Sequence, residues 1–443
     1  MNKYLWTLAA AALALTPTAG SASTLTTLHS FCASSPPACT DGDTPTEAVV
    51  LTPSGDVLGS VLMGAKFHGG GVFDLRRKPG GDKWHESLAY SFCRKKHCKD
   101  GNGLFSGLTA DASGNVYGAT EDGGHLNNGV VFKLTPDGNG GWRYSTIYRF
   151  CQIKKCLDGH GGDGTLVFDT QGNIYGTTYG GGSAGKGVAY ELSPSQRDHE
   201  WTQKVLYNFC SQSNCADGNQ PLIGLTYVGA ASGTPYDGVS PLYGTTSFGG
   251  NGSDPGSGIV FSLTPGGGTW QESVLYAFCP AGDPCADGSD PAQAGPLSFD
   301  GQGNIYGATM SGGTGQIDGR GVLFELSRKG GKWKESVLHT FCVDTCDDGG
   351  LPPANPIMDA TGNLLGTAEI GGAHQDGVIY KLSTGRKPAL TTLYDFCALT
   401  NCADGRGPGS VLQMDADGDL FGTTEQGGTS SSDPAGTAFE FTP

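Results

Sequence analysis

Seven close cysteine pairs set the frame for everything else in this 443-residue chain: Cys32 and Cys39, Cys93 and Cys98, Cys151 and Cys156, Cys210 and Cys215, Cys279 and Cys285, Cys342 and Cys346, Cys397 and Cys402. Each first cysteine follows a phenylalanine, and each pair is followed two residues on by Asp-Gly, at Asp41, Asp100, Asp158, Asp217, Asp287, Asp348 and Asp404. Successive first cysteines lie 61, 58, 59, 69, 63 and 55 residues apart. A period in this range is one supersecondary unit copied seven times, and only stacking of neighbouring copies can bury its apolar face.

Each copy carries four strand-like segments, which in the second are Leu104–Asp111, Asn115–Thr120, Gly129–Thr135 and Trp142–Phe150. The first two are joined by Asp111-Ala-Ser-Gly-Asn115, with equivalents at Asp169–Asn173, Asp300–Asn304 and Asp359–Asn363. Asp and Asn bond their own backbone and Gly supplies positive φ, so these are hairpin turns. Asp415–Asp419 also resembles a calcium loop, but no acidic residue closes it at the required spacing, and it reads as the same turn. Cofactors are otherwise undefined by the sequence. The cysteine pairs lack the converging His or Cys partners that zinc needs, so no metal site is expected.

The fold expected is all-β, a seven-bladed β-propeller with four strands per blade. The seventh copy ends at its third strand, Gly436–Pro443. The segment Leu25-Thr-Thr-Leu-His-Ser-Phe31 matches the fourth strand Leu390-Thr-Thr-Leu-Tyr-Asp-Phe396. The N-terminal strand is therefore expected to complete the last blade, which protects an open sheet edge.

Composition agrees. Seventy-five glycines and 16% charged residues suit short strands and tight turns. Lys3, the apolar stretch Tyr4–Leu15 and the small residues Gly20-Ser21-Ala22 read as a secretory signal peptide over 1–22, leaving 23–443 as a single propeller domain. The apolar stretch is too short to span a bilayer, so no membrane span is expected. Secretion or a periplasmic location matches the even cysteine count, and each close pair is expected to form a disulfide within its own repeat. The net charge of −16 argues against nucleic acid as a partner of the whole surface. A monomer is expected.

The segments 172–182 (Gly-Asn-Ile-Tyr-Gly-Thr-Thr-Tyr-Gly-Gly-Gly), 129–136 (Gly-Val-Val-Phe-Lys-Leu-Thr-Pro) and 205–209 (Val-Leu-Tyr-Asn-Phe) resemble the bacterial tandem-repeat proteins called GloVer-containing, or choice-of-anchor, proteins. The resemblance covers nearly the whole mature chain and implies the fold and secretion, with no shared activity. The chain departs from it by placing a cysteine pair in every unit. It also ends at Pro443 without an anchor segment, so surface attachment is not expected.

Residues repeated at equivalent positions read as packing. These are Trp84, Trp142, Trp201, Trp270 and Trp333 opening the fourth strands, and Tyr117, Tyr175, Tyr243 and Tyr306 in the second strands. His29 and His339 replace the Tyr before Phe-Cys and read as core substitutes. Function is expected where copies differ. Five cysteine loops contain no Lys or Arg; the other two are adjacent and carry Lys95, Lys96 and His97, then Lys154 and Lys155 followed by His160. Neighbouring turns add Lys66, His68, Glu121 and His125. In a propeller these loops share one rim, so a cationic sector is expected there, focusing anions on an acidic protein.

Three functions fit. The first is recognition of an extracellular, anionic polysaccharide by this sector. The second is cleavage of that polymer. Elimination needs a cation, a base and a proton donor, which His97, His125, His160, Tyr179 and the lysines supply as residue types. Hydrolysis needs paired carboxylates, for which Glu121, Glu369 and Glu425 stand at equivalent rim positions. The third is a protein-interaction scaffold.

Overall fold

The computed structural model describes residues 23–33, 38–78, 83–195, 201–250, 256–266, 269–280, 282, 284–315, 319–429 and 435–443; the expected leader over 1–22 lies outside them. The described strands form seven antiparallel sheets, six of them running outward from the innermost strand in chain order. In the second blade the order is Thr109–Ala110, Val116–Ala119, Val130–Pro136 and Trp142–Arg149. The expected hairpin turns join the first two strands: Asn115 donates its side-chain amide to Asp111 Oδ2 at 2.7 Å, and Tyr117 donates its hydroxyl to the same oxygen at 3.0 Å. The Asp415–Asp419 turn is built alike, with the amides of Asp417 and Asp419 both donating to Asp415 Oδ1 at 2.9 Å.

The last blade is completed by the N-terminus. Thr24–Ser30 pairs antiparallel with Thr437–Thr442, with Leu25 opposite Phe441 and Ser30 opposite Thr437. Arg77 Nη2 on the first blade donates to Glu440 Oε1 on the last at 2.6 Å, across 363 residues of chain.

The blades hold together through the seams between them. Among the described residues seven apolar clusters are each shared by two neighbours; one joins Val72 and Phe92 of the first blade to Val116 and Phe132 of the second. An eighth joins the innermost segments, where Ala294, Ala354 and Val411 from three blades pack with Ala48 of a fourth. In every blade the far end of a third-strand aromatic ring abuts a glycine of the second strand. A Cβ on Gly244 would stand 2.7 Å from Phe261, and one on Gly366 would stand 2.4 Å from the Tyr380 hydroxyl. The repeated Gly is therefore the space that lets blades pack face to face.

The innermost strands depart from the sequence expectation. In the second blade Leu104–Asp111 is not one strand: the chain makes a single bridge just before it, at Asn102–Asp122, leaves its neighbour, and pairs again only at Thr109–Ala110. The residue after that bridge is left-handed in all seven copies (Thr44, Gly103, Gly161, Gln220, Asp290, Leu351, Gly407). Its amide turns away from its own sheet and donates to the previous blade, from Gly161 to Asn128 at 2.9 Å and from Leu351 to Arg320 at 2.7 Å. Even Leu and Thr take this disfavoured conformation, because it converts an idle amide into a bond across the seam.

Candidate functional site

The cysteine loops and the turns between second and third strands share one rim, as expected. Gly124 donates its amide to the carbonyl of Cys98, and Gly182 to that of Cys156, both at 2.9 Å. All fourteen cysteines are paired within their own repeats, as the spacing predicts. Cys32 is bonded to Cys39, Cys93 to Cys98, Cys151 to Cys156 and Cys210 to Cys215. Cys279 is bonded to Cys285, Cys342 to Cys346 and Cys397 to Cys402, which leaves no free thiol. The aspartate of each Asp-Gly, buried in five copies and half-buried at Asp287 and Asp348, organises the loop. Asp100 accepts the Tyr90 hydroxyl at 2.7 Å and the amides of Arg94 and Lys95 at 3.1 and 3.0 Å. His29 and His339 take the Tyr role, with Nε2 3.1 Å from Asp41 and 2.8 Å from Asp348. They are core substitutes, and this motif is scaffold.

Inside that scaffold the second strand ends at a position that differs from blade to blade: Leu62, Glu121, Tyr179, Ser247, Met310, Glu369 and Glu425. Its backbone is fixed by the left-handed residue; the amides of Glu121 and Glu425 donate to the carbonyls of Gly103 and Gly407 at 3.0 and 2.9 Å. Of these, Glu121, Tyr179, Glu369 and Glu425 come together with two acids of the innermost strands, Glu47 and Asp163. Glu47 feels Asp163 and Glu425, Asp163 feels Glu121, and Glu425 feels Glu369, although they come from five different blades. In a ring, only the axis brings such groups together.

Burial holds Glu47 and Asp163 well above the usual carboxylate range, and like charges push further in the same direction. By surface exposure both are only half-buried. The two facts agree for a narrow channel, where water touches a group that protein surrounds. Burial also raises Glu369 and Glu425. Glu121 is raised by burial and by Asp122, against a hydrogen bond donated by Tyr179. Tyr179 is raised in turn by burial and by Glu121. The His160 ring meets the Tyr179 ring edge-on at 5.1 Å, and burial lowers its pKa.

Of the residues singled out from sequence, Glu121, Tyr179 and His160 thus form one string at the mouth of the channel. Lys66, His68, Lys95, Lys96, His97, His125, Lys154 and Lys155 lie on the surrounding loops. Lys95 leans outward, with Nζ 5.4 Å from the ring of Tyr144 on an outermost strand. Glu47 and Asp163 were missed. Their signal was positional: Glu47 stands where the next copies carry Ser106 and Gly164, a variable place in the innermost strand.

Among the described residues, no three axial carboxylates bring ligand atoms within 4.8 Å of one another. Asp376, Cys397 and Cys402 do, but those sulfurs are joined in a disulfide and offer no thiolate. Two surface grooves lie away from the axis, at the seams flanking the last blade. One of about 520 Å³ is lined by Thr27–Ser30 and Leu399, and one of about 580 Å³ by Pro53, Trp84, Asp417 and Glu440. No described helix is long and apolar enough to cross a membrane.

The Gloeobacter/Verrucomicrobia repeat matches residues 45–236 and 230–443. No curated protein matches the chain. Similar solved structures include a candidate 6-phosphogluconolactonase of Bacteroides uniformis, at 13% identity and TM-score 0.45 over 78% of this chain and 82% of that one. Another is a candidate oxidoreductase (glucose dehydrogenase) of Thermus thermophilus, at 14% identity and TM-score 0.41 over 95% of this chain and 100% of that one.

Proposed function

Starting from a chain that belongs to the Gloeobacter/Verrucomicrobia repeat family, we propose that it works outside the cytoplasm as a propeller that recognises an anionic polysaccharide. The observation that carries this reading is the confinement of exposed cations in the cysteine loops to two neighbouring copies, beside the axial mouth. Lys95, Lys96, Lys154 and Lys155 attract the polymer's anionic groups, a salt-sensitive attraction screened beyond about 8–10 Å at physiological ionic strength. Tyr179, Glu121 and His160 then meet a sugar ring at the mouth. Burial raises the pKa of the Glu121 carboxyl, so it gives up its charge more readily beside a hydroxyl or uronate. Seven disulfides fit an oxidising compartment.

One observation favours a second reading, cleavage by elimination. His160 is held neutral and Tyr179 protonated, the forms a base and an acid need, and their rings are in contact. Against it, the charged groups that act on Tyr179 are carboxylates, whereas elimination asks for a cation on the uronate.

A panel of anionic and neutral glycans, read for retention and for unsaturated ends absorbing in the ultraviolet, tests both. Retention without products, lost many-fold at low salt when the four lysines become Ser, is the expected result. Unsaturated products that vanish with His160→Ala while retention persists would establish the lyase. Unchanged retention by the quadruple variant would overturn the cationic reading. No retention of any glycan would move the protein to a scaffold role.

A further inference from the structure

The cationic sector has a property that polysaccharide recognition leaves unused: its loops hold apolar side chains out into solvent. Met63 is 53% exposed, Leu126 73%, Ile153 50% and Leu157 42%. Scattered apolar residues on a surface are ordinary, but these lie on loops that abut one another. The amide of Gly103, beyond the loop that Cys93 and Cys98 close, reaches Gly69 in the first turn at 3.3 Å. That of Gly161, beyond the loop that Cys151 and Cys156 close, reaches Asn128 in the second turn at 2.9 Å.

The apolar tips are also built to stand out. Leu126 and Asn127 both take positive φ, which a leucine seldom does. Asn127 Oδ1 accepts the amide of Gly123 at 3.0 Å, and the Asn128 side-chain amide donates to the Leu126 carbonyl at 2.9 Å. Both amide side chains are thus spent on fixing a loop whose outermost side chain is Leu126. The loop bracketed by the disulfide of Cys151 and Cys156 offers Ile153 beside Lys154 in the same way.

Seven Lys and Arg side chains stand among these loops on a chain of net charge −16. Glu121 and Asp122 are the carboxylates of the turn that carries Leu126, and Asp122 already accepts the side-chain amide of Asn127 at 2.9 Å. Rigid apolar tips interleaved with cations match one kind of partner: a bilayer surface with anionic headgroups, into which tips insert while cations meet phosphates.

We propose that the rim of the first three blades docks on an anionic lipid surface, with Leu126 and Ile153 as the inserting side chains. This goes beyond polysaccharide recognition, because a polymer of anionic sugars gives Leu126 and Ile153 nothing to enter. Because the tips are already ordered, insertion loses little conformational freedom.

The mature, oxidised protein should float with vesicles of phosphatidylcholine mixed with phosphatidylglycerol, and not with phosphatidylcholine alone. The double variant Leu126→Ser/Ile153→Ser should lose flotation by about tenfold or more at unchanged low salt, while retaining anionic glycans as the unaltered protein does. Lys154→Ser/Lys155→Ser should weaken flotation and glycan retention together. Absence of flotation with mixed vesicles would overturn the proposal, as would equal flotation by Leu126→Ser/Ile153→Ser. Neither result would touch the polysaccharide reading, which is decided by glycan retention and by its loss in the quadruple lysine variant.

Discussion

Tyr144, on the outermost strand of the second blade, donates its hydroxyl to the backbone carbonyl of Asp100 at 2.7 Å, tying the blade's outer edge to the loop that enters it. In the third blade Gln203 does the same for Asp158 at 2.9 Å. The equivalent positions in the first, fourth and fifth blades, each opposite a third-strand leucine, are Glu86, Glu272 and Glu335. A carboxylate cannot donate, whereas a protonated carboxyl can. Each of these glutamates has one buried oxygen without a partner. Burial is the main cause that pushes Glu86 and Glu335 up to about 7 and Glu272 to about 8. Of the charged neighbours, Asp41 and Asp74 raise Glu86 while His29 lowers it; Asp217 raises Glu272; Asp287 raises Glu335 while Lys334 lowers it.

The sign of the pH dependence follows. The folded pKa values lie above the unfolded value of 4.5, so the stability from the neutral form is full below 4.5 and is lost as pH rises through about 7–8. The melting temperature should fall across that window, and Glu47 and Asp163 add in the same direction. Glu272→Gln, which donates at every pH, should flatten the fall. A profile identical to the parent's would mean that Glu272 is not held neutral.

Asp100→Ala removes the buried acceptor of one hydroxyl and two amides beneath an exposed loop. The expected loss is about 1–3 kcal/mol, since the Tyr90 hydroxyl is left as a stranded buried donor while water reaches the two part-buried amides. Urea unfolding measures it, and a loss near zero would show that the disulfide alone shapes the loop.

Tyr190 and Tyr380 bury hydroxyls without partners where the other five blades carry Phe. Tyr380→Phe should be neutral or stabilising, by up to about 1 kcal/mol, because it removes an unsatisfied polar group. A lower melting temperature would reveal an acceptor, such as a buried water.

Removing Ser23–Ser30 strips the outermost strand from Thr437–Thr442 and leaves an open edge. Aggregation or a large drop in melting temperature is expected in calorimetry and light scattering. An unchanged transition would mean that the ring does not need this strand.

Much of the fold was legible because it is local and repeated. Asp-Gly after each cysteine pair, Asp–Asn turns and Tyr or His before Phe-Cys are contacts within a few residues, so seven copies state each one many times over. The match of Leu25–Phe31 to Leu390–Phe396 closed the ring without coordinates. The site was legible in part: Glu121, Tyr179 and His160 stood out because copies differ there, and they do meet. Ring closure alone made neighbours of Glu47, Asp163 and Glu425, which lie more than 100 residues apart in the chain. Their shared field and dehydration exist only once five blades point at one axis. Tertiary packing likewise drew Lys95 outward onto Tyr144, since a cation goes to the nearest aromatic face its loop can reach. The sequence by itself determined the repeat, its turns and its closure, because those energies are local. The charge state and company of the axial acids were decided by the tertiary structure, because desolvation and long-range Coulomb forces depend on where the whole chain ends up.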